Sequence, residues 1–390
     1  MMHPVAMERT WIVALGGLVV GSLVFRAVDR LRFQKSFFWP IRNYCTSCYQ
    51  PTFPLASIPV LGWFLMLGRC GHCRAWLPFR RVLIETLTAA LIFALYWIYL
   101  GHRVAWSFPY YPLGYDQEKL WALFVYHGLL MALLIAATFI DLDMMIIPDA
   151  VTVPGMILGI GLGTFWFVER HPVPRGSPPG PAGGLVLLSQ DQWHAWLGGL
   201  SDGPTWLRGL ADAPAWWPDL VQSVNDHWRM NWNRWLGFST GMVGLLVGGG
   251  VVWIVRAVCG WIFGKEALGF GDVTLMAMVG AFLGWQTAIL AFFLAPISAV
   301  GVGILSWIFT GKSEIPFGPH LSLATIFCVL TWREMWLRMG PLFFDFSFFM
   351  LASIVMLVLL VFVASMVQFA KRVILRFLHR DQWADGSFHA

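Results

Sequence analysis

The chain has 390 residues, of which 58% are hydrophobic and only 12% charged. A soluble globular chain carries about 25% charged residues, so this one lacks the charge to cover a water-facing surface, which argues against a large soluble enzyme. The net charge of +5 is no signature of nucleic-acid binding, because the basic residues gather in short segments between apolar runs, where membrane topology accounts for them.

Apolar runs of about 20 residues read as membrane spans. Hydropathy predicts about nine of them, near residues 11–28, 82–100, 120–140, 151–168, 236–255, 272–285, 287–310, 316–332 and 346–370. The expected fold is an all-α polytopic bundle in the lipid bilayer. The first run lacks a small-residue cleavage site and reads as a retained span within 1–28, not as a removed signal peptide.

The next segment, 29–81, carries Arg30, Arg32, Lys35, Arg42, Arg69, Arg74, Arg80 and Arg81 against one acid, Asp29. Such an excess marks a cytoplasmic loop. Alternation of spans then places the N-terminus outside and the turns at 141–150 and 256–271 inside. The basic tail with Lys371, Arg372, Arg376 and Arg380 also falls inside. Within the loop, Cys45 and Cys48 form one CxxC unit, and Cys70 and Cys73 form a second after 21 residues. Four thiolates at this spacing are a tetrahedral zinc signal, because each CxxC turn aims two sulfurs at one ion. Two disulfides fit a reducing cytoplasm poorly; a loop without any ligand is the remaining alternative. Cys259 and Cys328 lie in apolar runs and read as core residues.

The segment 82–168 holds spans and an unusual acidic string, Asp141-Leu142-Asp143-Met144-Met145-Ile146-Ile147-Pro148-Asp149. From 169 to 235 the chain changes character, with eight tryptophans, many Pro and Gly and no long apolar run. Tryptophan favours the membrane–water interface, so this stretch reads as an external insertion against the bilayer. Spans resume over 236–332, where Gly269-Phe270-Gly271-Asp272 precedes the sixth. Residues 333–390 supply an extra span and the basic tail.

Acidic residues at a hydrocarbon edge are costly and mark candidate functional sites. Asp141 and Asp272 fall on the same membrane face in this topology. Two converging carboxylates can hydrolyse a peptide: the ionised one takes a proton from water, and the protonated one donates to the scissile carbonyl. Two like charges a few ångströms apart do not both ionise easily, so the pair titrates as a unit. Taken singly, each Asp could equally be a helix cap or an interfacial charge. Asp149 after Pro148 suits a turn or cap, and Asp143 a supporting charge.

The acidic string resembles the type IV prepilin peptidase motif in which an Asp is followed by apolar residues and Pro-Asp or Pro-Asn. The Gly269, Gly271, Asp272 string resembles that family's GxGD motif. Further landmarks are the run to Trp285, Ile315-Pro316-Phe317-Gly318-Pro319, Gly21-Ser22 and the stretch Ile58 to Trp63. The resemblance implies that Asp141 and Asp272 are catalytic aspartates. It implies cleavage of leader peptides from type IV pilin-like or pseudopilin precursors, after a glycine at the cytoplasmic face of a bacterial inner membrane. It also implies a zinc-binding cysteine loop and, in bifunctional members, S-adenosylmethionine-dependent N-methylation of the new N-terminus, with Glu85 as an acid of that region. An interfacial ion pair between Glu85 and Arg80 or Arg81 is the competing reading. Two departures stand out: Thr274 replaces the family's usual Lys, and the first span reads Gly21-Ser22-Leu23-Val24-Phe25-Arg26 without the usual Asn. The alternatives are another GxGD intramembrane peptidase, for which Tyr-Asp and Pro-Ala-Leu motifs are missing, a transporter with acids in an ion path, and a silent zinc-loop scaffold.

Overall fold

The computed structural model describes residues 4–31, 45, 47–48, 50, 58–101, 117–165, 216–263, 268–310 and 316–344, with positions 351, 354, 355 and 358 beyond them. Among these residues the protein is all-helical, with one isolated bridge between Arg69 and Trp76. The helices are α1 (Pro4–Leu31), α2 (Leu61–Leu65), α3 (Arg80–Tyr96), α4 (Gln117–Met144), α5 (Asp149–Phe165), α6 (Trp216–Phe263), α7 (Phe270–Leu283), α8 (Trp285–Thr310) and α9 (Gly318–Phe344). A π-helical turn, Trp97–Gly101, extends α3. Helices are expected here because lipid offers no partners for backbone N–H and C=O groups, which must be satisfied within the segment.

Four helical segments are long and apolar enough to cross a membrane: Thr10–Leu31, Arg80–Leu100, Trp121–Met144 and Gly237–Trp261. Four shorter apolar helices, Asp149–Phe165, Phe270–Leu283, Trp285–Ala299 and Gly318–Trp332, fall in the other apolar runs read within the described residues, but are shorter than the length that crosses a membrane. The ninth span, 346–370, lies outside the described residues apart from isolated positions. One difference concerns the tryptophan-rich stretch. Its last 20 residues are helical from Trp216 and run without a break into the fifth span. Pro218 is compatible with this because it sits in the first turn, where its missing N–H would have no intrahelical partner.

Small residues let these helices approach closely, as is usual in membrane bundles. Gly244 of α6 and Gly280 of α7 face each other, and a Cβ on either would collide with the other's carbonyl oxygen. The most extensive packing is therefore between α6 and α7, with α1 on α3 next. Tyr126 of α4 is fully buried, and its hydroxyl reaches the carbonyls of Gly159 in α5 (2.8 Å) and Phe282 in α7 (3.0 Å). That contact ties three helices together. Tyr99 of the π turn is hydrogen-bonded to His127 of α4 at 2.7 Å.

Candidate active site

Asp141 lies in the last turn of α4 and is buried. The turn ends at Met145, whose N–H donates to the Asp141 carbonyl at 2.8 Å and whose φ is +53°. A left-handed residue there reverses the chain in the manner of a helix C-cap. The reversal exposes Met144, Met145 and Ile146 and returns Ile147 to the interior. Pro148 then starts α5, its carbonyl accepting the amides of Val151 (3.0 Å) and Thr152 (3.4 Å). Asp149 falls in the first turn of α5, exposed, where a carboxylate favours the helix dipole.

Asp272 is the third residue of α7 and is also buried. Its Oδ2 accepts the Gly269 N–H at 3.1 Å, the reach-back half of a capping box. The capping reading of this Asp is therefore met. Ile147 brings the two motifs together. A Cβ on Gly271 would lie 2.9 Å from the Ile147 Cβ and 3.2 Å from its backbone nitrogen, so only glycine admits the approach. The third contributor is the N-terminus of α9. Gly318 N–H donates to Asp141 Oδ2 at 3.1 Å, and a Cβ on Gly318 would sit 2.5 Å from that oxygen. Asp141 and Asp272 are near enough to interact electrostatically. Three strings separate in sequence thus meet around two carboxylates, each held by a backbone amide.

The four cysteines form a second cluster, with all four sulfurs within 4.8 Å of one another. Cys45 and Cys73 sulfurs are 3.7 Å apart, and those of Cys48 and Cys70 are 3.9 Å apart. No disulfide is formed. Tetrahedral zinc with sulfurs at about 2.3 Å spaces them about 3.8 Å apart, so the donor set fits that ion in type and separation. Burial alone would raise the Cys45 thiol, but the backbone N–H groups of Cys48 and Ser47 outweigh it and bring it down to about 7. Cys70 is lowered as well, by the N–H groups of Cys73 and His72. These turns favour the thiolate at Cys45 and Cys70, whereas at Cys48 the Gln50 N–H is outweighed by burial and the neighbouring thiols, which push it up to about 11.

Residues 15–99 match the Bacterial Peptidase A24 N-terminal domain, and residues 227–305 match the Type IV leader peptidase family. Over these two regions the chain is similar to the type IV leader peptidases. It is 28% identical over 286 residues to a prepilin leader peptidase/N-methyltransferase of Aeromonas hydrophila, covering 73% of this chain and 69% of that protein. A protein of the same name from Pseudomonas putida is 23% identical over 358 residues, covering 85% and 94%. A type 4 prepilin-like proteins leader peptide-processing enzyme of Escherichia coli is 27% identical over 350 residues, covering 83% and 94%. No solved structure matches.

Asp272 lies inside the second matched region and Asp141 between the two. Glu85 is fully buried in the first. Its Oε1 accepts Arg81 Nε at 2.9 Å, so the ion pair considered from the sequence is present. Its Oε2 accepts the amide of Val60 at 2.5 Å. Val60 has φ +57° and ψ −59°, and the Leu61 N–H reaches back to the Pro59 carbonyl at 2.5 Å, a tight γ-turn that a β-branched residue seldom adopts. Glu85 therefore holds the strained end of the cysteine loop against α3. Gly21 packs on the same spot, where a Cβ would stand 2.7 Å from the Glu85 carbonyl oxygen. Asp143 is exposed and pairs with Arg80. Thr274, the departure from the family pattern, donates its hydroxyl to the Gly271 carbonyl at 3.0 Å, closing onto the motif's own turn.

Two contributors were not assigned as site residues from the sequence. The Gly318 amide carries no side-chain signal; only its place in the Ile315 to Pro319 string points to it. The Val60 amide is likewise invisible in composition.

Proposed function

We propose that Asp141 and Asp272 are the catalytic pair of a membrane-embedded aspartic endopeptidase, which removes leader peptides from type IV prepilin or pseudopilin precursors. The observation that carries this reading is the convergence of the two buried carboxylates from α4 and α7, each steadied by a glycine amide. The ionised member takes a proton from water, and the protonated member donates to the oxygen of the scissile carbonyl, so that one proton serves the pair. Gly271 and Gly318 leave room beside the carboxylates for an extended substrate backbone. Asp143, Pro148, Asp149 and Gly269 shape the turns that hold the pair.

The four cysteines would hold a structural zinc ion that closes the loop ahead of α3. The Aeromonas hydrophila and Pseudomonas putida relatives are also named N-methyltransferases; the second activity proposed for this chain is methylation of the new N-terminal residue with S-adenosylmethionine, with Glu85 the acid offered for that region. The chain resides in a bacterial inner membrane, with the N-terminus outside and the catalytic edge and C-terminus on the cytoplasmic side; the arginine-rich segment 29–81 supports that orientation.

Co-expression with a pilin-like precursor tests the proposal. Leader removal is expected with the natural chain and is abolished by Asp141→Asn and by Asp272→Asn. Full processing by either variant rejects the catalytic pair. The mass of the processed N-terminus reads methylation directly.

A further inference from the structure

The cysteine loop carries an apolar face that neither the carboxylate pair nor a metal explains. On α2, Leu61, Phe64 and Leu65 recur at i, i+3 and i+4 and are all exposed. Leu67 is 80% exposed and Trp76 69%. Leu67 keeps φ at +49°, a conformation unfavourable for a residue with a side chain, so the loop holds a leucine outward at some cost.

The face is continuous. The Trp63 ring meets Phe64 edge-on at 5.2 Å and Phe79 at 5.5 Å, and its Nε1 donates to the Leu77 carbonyl at 3.1 Å. Exposed Phe79 begins a stripe that continues on α3 as exposed Leu83 and Leu87, four residues apart on one side of the helix. That helix is long and apolar enough to span the bilayer, so the stripe faces lipid and the loop prolongs it. Soluble surfaces rarely expose so contiguous an apolar patch without a partner.

The charges select the partner. Residues 58–79 contain Arg69 and Arg74 and no acid. The Arg69 guanidinium lies over the Trp76 ring, 5.3 Å from its centroid. Tryptophan beside arginine at the end of an apolar stripe is the chemistry of the headgroup layer, and a leaflet with anionic lipids attracts such a segment. A cationic peptide would be repelled.

We propose that this face is a membrane foot: α2, Leu67, Trp76 and Phe79 lie in the headgroup layer of the adjoining leaflet, with Arg69 and Arg74 against anionic lipid phosphates. The foot has a structural consequence for the catalytic edge. Arg80, one residue past Phe79, pairs with Asp143 in the last turn of α4, so the depth of the foot sets the level of that turn in the membrane.

The test uses the full chain reconstituted in phosphatidylcholine vesicles, with or without phosphatidylglycerol. Benzoylphenylalanine is placed singly at Leu65 and Trp76, at Leu87 as a lipid-facing reference and at His72 as an exposed reference on the cysteine side. Irradiation is expected to give lipid adducts at 65 and 76 in yields comparable to 87 and several-fold above 72. Phosphatidylglycerol should be enriched in the adducts at 76, and that enrichment should disappear in Arg69→Gln/Arg74→Gln. In parallel, the unmodified chain is labelled by a lipid carrying a diazirine beside its headgroup, which should mark Leu65 and Trp76 without any substitution. Yields at 65 and 76 no higher than at 72, adducts to a second copy of the chain in place of lipid, or an unmarked 58–79 segment in the unmodified chain each overturn the proposal.

Discussion

The carboxylate edge proposed as catalytic and the cysteine loop are held in opposite ways. At the catalytic edge, Asp141 and Asp272 are buried among α4, α7 and α9, and glycines at 271 and 318 press three backbones together. Its geometry follows from helix packing. Among its described residues the loop has one five-residue helix, several exposed apolar side chains, and residues at positive φ without being glycine, including Val60, Leu67 and Arg74. Few of these residues are buried, so their order draws on four thiols, on the Glu85 carboxylate and on the leaflet beneath them. A rigid chemical site is thus joined to a loop whose stability is supplied from outside the hydrophobic core.

Four perturbations would break or sharpen this contrast. The largest effect is expected at the pair itself: Asp141→Asn or Asp272→Asn should lower the rate of leader removal by at least about 10²–10⁴-fold, the contribution typical of a positioned acid or base, while a thermal-shift assay shows the fold retained. Next, Gly318→Ala should cut the rate by roughly 10²-fold, the scale of loss for misplacing a reacting group by an ångström, because the added Cβ falls 2.5 Å from Asp141 Oδ2. Wild-type rates in that variant would show that α9 does not position the carboxylate. Third, removal of metal by a chelator, or Cys45→Ser/Cys48→Ser, should open the loop to proteolysis between residues 45 and 79 while the helices around Tyr126 stay protected; metal analysis and mapping of the cuts check this. Smallest is Arg80→Ala. Its ion pair with Asp143 is partly exposed, and such pairs are worth about 0–1 kcal/mol, so peptidase activity should fall only a few-fold. A loss as large as that of the aspartate variants would make Arg80 part of the chemistry.

Glu85 anchors the loop to α3 and tests whether the loop and the carboxylate pair are independent. It is buried with Arg81, and cutting such a pair leaves an unpaired buried charge at a cost of about 3–5 kcal/mol. Glu85→Ala should therefore lower the melting temperature more than Arg80→Ala does, and it should free the Val60 amide and loosen the loop before it affects the carboxylate pair.

Much of this protein is legible in the chain itself, because the signals are local. Low charge and long apolar runs specify a helical membrane protein, since lipid satisfies no backbone group. The paired CxxC units specify a tetrahedral donor set, because two short turns need only come together to complete it. Asp141 and Asp272 stand out as acids at hydrocarbon edges, and the glycines beside Asp272 announce a close approach. What the chain does not display is which backbone amides serve those carboxylates. Gly318 reaches Asp141 and Ile147 fits against Gly271 only once α4, α7 and α9 have packed, and Val60 reaches Glu85 only once the loop has folded back on α3, since contacts between remote segments leave no periodicity to read. The same holds for the helix that begins at Trp216, whose polar first turns look like insertion and not span. Composition and local pattern settled what kinds of groups this protein brings to the membrane edge; the packing of helices against one another decided which of them meet.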